Sequence, residues 1–167
     1  MAASRLKGKP LLEINNVPII CHVLNKAMET GLEAFVATED KEIVTAIEQN
    51  YAGKVILTGN HKTGTDRIFE AFKKLKIENV DYILNLQGDE PMIEPEDIRN
   101  LNNIIYKSQS SIGTLACKIK NEEHFQNENI VKVITESHLD NQNFPLALKF
   151  QRKVNLNENQ NVSHRRL

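Results

Sequence analysis

Short apolar runs of strand length alternate along this chain with longer segments whose apolar residues recur at helical spacing, and that alternation constrains the fold more than any other feature. Ile19, Ile20, Val23, Leu24, Ala27 and Met28 follow Pro18 at helical spacing, and Gly31 is placed to end that helix with a positive φ. Residues 34–38 read as a short buried strand. Asp40 can cap a second helix, with Ile43, Val44, Ala46 and Ile47 on its apolar face, and residues 55–57 form the next strand. A polar loop over 58–64 leads to a helix carrying Ile68, Phe69, Phe72 and Leu75, after which 82–86 reads as a third apolar strand. Pro95 opens a helix with Ile98, Leu101, Ile104 and Ile105, and 112–117, 130–135 and 146–150 are strand-like. Strands separated by helices of about 10 to 15 residues predict an α/β fold, its sheet mostly parallel and covered by helices on both faces.

With 167 residues the chain can bury one substantial core, which predicts a single domain over 1–152, followed by a polar, asparagine-rich loop or frayed tail over 153–167. Twenty-one basic and 22 acidic side chains leave a net charge of −1, so no global field draws the chain to nucleic acid or anionic lipid. The cations are neither concentrated on one face nor interleaved with aromatics, which also argues against a nucleic-acid module. No apolar run approaches the roughly 18 to 20 residues needed to span a bilayer, and Cys21 and Cys117 lack metal-type spacing, so a cytoplasmic protein with two thiols is expected. The five histidines share no spacing that would build a metal site, and His22 reads as a packing residue.

In open α/β sheets ligands sit at the carboxyl ends of strands, which gives the loops there the most weight. Three stretches stand out. In Ser4-Arg5-Leu6-Lys7-Gly8-Lys9-Pro10-Leu11, three cations flank a glycine ahead of a proline-stiffened turn. Arg5 can hold phosphate oxygens as a fork, Lys9 can act as a point charge and Gly8 lets backbone approach closely; a solvated cationic loop is the plain alternative. In Gln87-Gly88-Asp89-Glu90-Pro91, Asp89 can hold Mg²⁺ that stays mostly hydrated and phosphate-bound, or the segment is an ordinary tight turn. In Thr63-Gly64-Thr65-Asp66-Arg67, the N–H groups of a helix start and the Arg67 guanidinium can meet a base edge, ribose or phosphate, or Thr65 simply caps the helix.

Taken in order, SRLKGKPL, TGTDR, QGDEPMI and NIVKVI resemble the 3-deoxy-manno-octulosonate cytidylyltransferases (CMP-KDO synthetases), over Ser4 to about Thr135. The resemblance implies a Rossmann-like nucleotidyltransferase sheet. It further implies transfer of CMP from CTP to the anomeric hydroxyl of the acidic eight-carbon sugar KDO, for lipopolysaccharide synthesis, with release of pyrophosphate. Mg²⁺ is the implied cofactor and Asp89 its ligand. Arg5 and Lys9 are implied as the catalytic grip on the triphosphate, and Ser4, Arg5, Lys9, Thr63, Gly64, Thr65, Arg67 and Gln87 as nucleotide-binding. A homodimer is implied for the family. Members of that family begin with an apolar strand and a Pro-Ala-Arg stretch ahead of the segment matching Ser4, and carry a dimer arm, sugar contacts and a second metal-ligand aspartate beyond the segment matching Thr135. A sheet lacking its first strand, with weak or no turnover, is therefore expected here. The alternatives are a cytidylyltransferase for another acidic sugar, such as a sialic acid, and a non-catalytic CTP-binding fragment.

Overall fold

The computed structural model describes residues 8–119, 121–139, 144–153 and 161–165; of Asn161, His164 and Arg165 only the backbone is described. The chain packs as two compact units, the first ending at Arg99 and the second beginning at Asn100.

The first unit opens with a 3₁₀ turn, Lys9–Leu11, whose Pro10 supplies the preset φ of a helix start. A small hairpin follows, β1 (Glu13–Ile14) and β2 (Val17–Pro18), closed by Asn15 and Asn16 at φ 52 and 61. Two consecutive positive-φ residues are what a two-residue hairpin turn requires, and asparagine tolerates that region best after glycine. The helix α1 (Ile19–Met28) buries Ile20, Cys21, Val23 and Leu24, and Gly31 follows its end at φ 80, as expected. Strand β3 (Val36–Thr38) leads to α2 (Lys41–Asn50), capped by Asp40 Oδ1, which accepts the Glu42 amide at 2.8 Å. Strand β4 (Val55–Leu57) pairs with β3 in parallel, Ala37 opposite Ile56. Ile20, Cys21, Leu24, Val36, Ile43 and Ile47 form one buried cluster, so the helical stripes and the strand meet in a common core. Complete burial of Ile47 contributes about 1.5 to 3 kcal/mol.

Then comes α3 (Gly64–Leu75), which buries Ala71. Phe69, expected on its apolar face, is 55% exposed and lies under the Lys73 ammonium, 4.2 Å from the ring centroid. Cation–π attraction holds an exposed ring there without burying it.

Residues 82–86 differ from expectation. The segment is not a strand of any sheet among the described residues, although Tyr82, Leu84 and Leu86 are half-buried and Ile83 and Asn85 exposed in the period-two pattern of extended chain. A strand needs a hydrogen-bonded neighbour. Val36 donates to the Lys54 carbonyl and Thr58 to the Thr38 carbonyl, so residues 36 and 38 face β4 and Ala37 points its backbone groups the other way. Among the described residues, neither that edge nor residues 82–86 has a ladder partner.

Helix α4 (Pro95–Ser108) carries the chain from the first unit into the second. At its start Arg99 ion-pairs with Glu96 and donates to the Glu29 carbonyl at 2.9 Å, satisfying the carboxyl end of α1. The second unit contains β5 (Ala116–Lys118), α5 (Glu122–Gln126), β6 (Lys132–Thr135), β7 (Ala147–Gln151) and β8 (Asn161–Arg165), and its strands pair in the order β5-β8-β6-β7. The α/β architecture is as expected, but parallel pairing is confined to β3 and β4 among the described residues; every pair in the second unit is antiparallel. β8 also falls in the asparagine-rich stretch expected to be a loop or frayed tail. Its pairing to both β5 and β6 supplies an order that residue propensity does not signal. Lys132, on β6, is completely buried.

No helix among the described residues is long and apolar enough to cross a membrane.

Candidate functional site

Two residues 80 positions apart come together: the Lys9 ammonium donates to Asp89 Oδ2 at 2.7 Å, and both side chains remain 44% exposed. Each is delivered by a stiff local structure. Lys9 starts the 3₁₀ turn, held by the Leu11 amide to the Gly8 carbonyl at 2.9 Å, with Gly8 itself at φ 89. Asp89 sits in a turn closed by the Glu90 amide on the Gln87 carbonyl, and Ile93, 1% exposed, anchors the chain just beyond it. Gly88 places that turn against α1: a Cβ there would stand 2.8 Å from Ile20 Cδ1, closer than side-chain carbons approach. A larger residue there would require the Ile20 methyl to shift, so glycine lets the turn lie against the helix that follows the Lys9 segment without that adjustment.

An ion pair with this exposure contributes about 0 to 1 kcal/mol, because water solvates both partners well. The pair can therefore exchange one partner for another at small cost. A phosphate oxygen would satisfy Lys9 as well as a carboxylate does, and a carboxylate relieved of Lys9 is a hard oxygen donor for a cation.

The second group lies at the carboxyl ends of β3 and β4. Thr63, not Thr65, caps α3: its hydroxyl oxygen accepts the Asp66 amide at 3.1 Å and its proton goes to Asp66 Oδ2 at 2.7 Å. Thr63 stands one residue before the helix, with extended backbone, where a capping oxygen reaches the third helical amide; Thr65 is already inside the first turn. Gly64 and Thr65 are left exposed at the positive end of the helix. Arg67 Nη2 pairs with Glu39 Oε1 at 3.1 Å, while Arg67 Nε is buried with no partner among the described residues. The bonds of Thr63, Asp66 and Arg67 run among themselves and to Glu39, and none reaches Lys9 or Asp89. Gln87 donates to Asn85 Oδ1 at 3.2 Å. Ser4 and Arg5 lie outside the described residues.

Sequence reasoning overlooked Glu39, although it follows a strand directly, as the weighted loops do. It also passed over Glu70, whose carboxyl is held well below its usual range, at about 2, by donors from Lys74, His61 and Gly59. His22 is half-buried, and its Nε2 lies 3.0 Å from the Ile14 carbonyl. No group of three or more His, Cys, Asp or Glu residues gathers around a common point among the described residues. Asp89 with one carboxylate suits a cation that keeps most of its water or takes its other ligands from a substrate, and does not suit one that needs a protein cage.

Comparison with known proteins identifies the family. The family profile described as cytidylyltransferase matches residues 1–166. The 3-deoxy-manno-octulosonate cytidylyltransferase of Haemophilus influenzae is 39% identical over 136 residues, 81% of this chain and 54% of that protein. The protein of that name from Thermodesulfovibrio yellowstonii is 42% identical over 144 residues, covering 81% of this chain and 56% of its own length. A solved structure of CMP:2-keto-3-deoxy-manno-octonic acid synthetase complexed with CTP superposes with a TM-score of 0.79 at 35% identity, over 96% of this chain and 66% of that one. The chain thus spans about half the length of the curated relatives it matches.

Proposed function

The chain belongs to the cytidylyltransferase family, and we propose that it serves the transfer of CMP from CTP to 3-deoxy-manno-octulosonate, with CTP held across Lys9 and Asp89. The observation that carries the reading is the Lys9–Asp89 pair: a cation and a carboxylate brought together from distant segments, both still open to solvent.

In this reading the anomeric hydroxyl oxygen of the sugar forms the new bond to the α-phosphorus, the bond from that phosphorus to the β-phosphate oxygen breaks, and pyrophosphate leaves. The protein's task is alignment and neutralisation of charge. Lys9 turns from Asp89 to the triphosphate, joined by Arg5 and Ser4. Asp89, so released, would hold Mg²⁺, which would supply positive charge to offset that of the phosphates. Thr63, Gly64 and Thr65 present helix-start amides to the nucleotide, with Arg67 and Gln87 beside it; Arg67 Nε, without a partner among the described residues, is a donor available to it. A homodimer and a cytoplasmic setting, where CTP is the available donor, complete the reading.

The experiment is release of pyrophosphate from CTP on addition of the eight-carbon acid, run beside a calorimetric titration with CTP and Mg²⁺. Release dependent on that acid is the expected result. Release only with a different acidic sugar would reassign the acceptor, binding without release would mark a non-catalytic CTP binder, and no CTP binding would overturn the reading.

A further inference from the structure

The loop between β4 and α3 is held by a cluster that lies apart from the Lys9–Asp89 pair. Glu70, in the second turn of α3, reaches back along the helix, and its two oxygens receive the Gly59 amide at 3.2 and 3.0 Å. His61 Nε2 donates to Oε2, and Lys74 donates to Oε1 at 2.7 Å. Lys74 also donates to the carbonyl of Leu57, the last residue of β4, at 2.7 Å. Two side chains one helical turn apart thus grip the strand end, the first loop glycine and the loop histidine, and Glu70 is only 27% exposed while doing so.

What this cluster holds is the approach to Thr63. Between Leu57 and the Thr63 cap lie Thr58, Gly59, Asn60, His61 and Lys62, five residues without regular structure. Left loose, such a stretch would have to be ordered when a ligand binds at the helix start, and that ordering weakens binding. We propose that Glu70 is a positioning residue for nucleotide binding: by fixing Gly59 and His61 to α3 it sets in advance the place at which Thr63, Gly64 and Thr65 meet CTP. It touches no substrate and acts only through the loop. The inference rests on the nucleotide-binding reading given above, and the direction of the Glu70 carboxyl, held ionised by its donors, agrees with a clamp present across the neutral range.

The test is CTP affinity by calorimetry, together with KM and kcat for pyrophosphate release, in the full protein and in Glu70→Ala and Glu70→Gln. Loss of preorganisation predicts a rise in Kd and KM for CTP of about tenfold in Glu70→Ala, with kcat at saturating CTP changed by less than about threefold. Glu70→Gln keeps an acceptor for Gly59 and should recover part of the affinity. Hydrogen exchange should quicken over residues 59–63 with CTP absent, while the interior of α3 stays protected. Wild-type protein that fails to bind CTP sinks the nucleotide reading; wild-type binding with Glu70→Ala within twofold of it sinks the positioning role alone. If Glu70→Ala is too unstable to assay, His61→Ala removes one donor and keeps the carboxylate, and a CTP affinity unchanged there overturns the proposal.

Discussion

Two lysines, one in each unit, show what surroundings make of the same side chain. Lys9 is 44% exposed and bonded to a carboxylate that is equally exposed. Lys132 is fully buried on β6, and its ammonium donates to two backbone carbonyls, Asn127 at 2.7 Å and Arg152 at 2.9 Å. Arg152 in turn donates to the carbonyls of Glu128 and Asn129, so Lys132 and Arg152 together lace residues 127–129 to the end of β7. The buried amine has no solvent route to a different partner and serves the fold. The exposed amine holds its partner weakly and can give it up for a ligand. Burial, more than charge, separates a structural lysine from one able to work on a substrate.

The sharpest way to break this contrast is to remove each amine in turn. Lys132→Met removes two hydrogen bonds from a charged donor to the Asn127 and Arg152 carbonyls, each contributing about 1.5 to 3 kcal/mol, and urea unfolding should show a loss of that order. Lys9→Met should shift the same midpoint by less than about 1 kcal/mol, because its ion pair is solvated. Equal losses would erase the distinction.

Burial also gives Lys132 a pH signature. Desolvation lowers its pKa in the folded chain below the ordinary lysine value of 10.5, so the unfolded chain binds the extra proton between the two values. Stability should therefore rise with pH through that alkaline window in the wild type relative to Lys132→Met. A constant difference between the two proteins there would show that the amine is not desolvated.

The remaining changes are smaller and bear on the first unit. Thr63→Ala removes the α3 cap and should cost about 1 kcal/mol, read from the thermal midpoint, whereas Thr65→Ala should cost less. At Glu70 the folded pKa, about 2, lies below the ordinary glutamate value of 4.5, so its contribution is present above about 4.5 and is lost as pH falls toward 2. Glu70→Gln should flatten the acid limb of the stability curve over that window, and an unaltered limb would contradict the clamp described for the loop.

Much of the first unit was legible because local and tertiary signals agree there. The stripes of α1 and α2 are buried as their spacing predicts, and Asp40 caps where a short acceptor precedes an apolar stripe. Residues 82–86 carry the same kind of apolar signal, yet a strand is a pairing relation and composition does not state who the neighbour is. The converse holds for β8, where polar residues take their order from two flanking strands. The candidate site was legible in part: local spacing left Lys9 and Asp89 open to plain readings, the family resemblance assigned both, and the fold joins them. Glu39 and Glu70 were not legible, since each acquires its role from a partner on another element or a loop.

Calorimetric titration of CTP into wild-type protein, Lys9→Met and Asp89→Asn, with and without Mg²⁺, addresses the exchangeable pair directly. The account predicts Mg²⁺-dependent binding in the wild type and binding weakened about tenfold or more in Lys9→Met, the loss of one charge-assisted bond. It predicts that Asp89→Asn no longer responds to Mg²⁺. Equal CTP affinity in all three proteins, whatever the Mg²⁺ concentration, would contradict it.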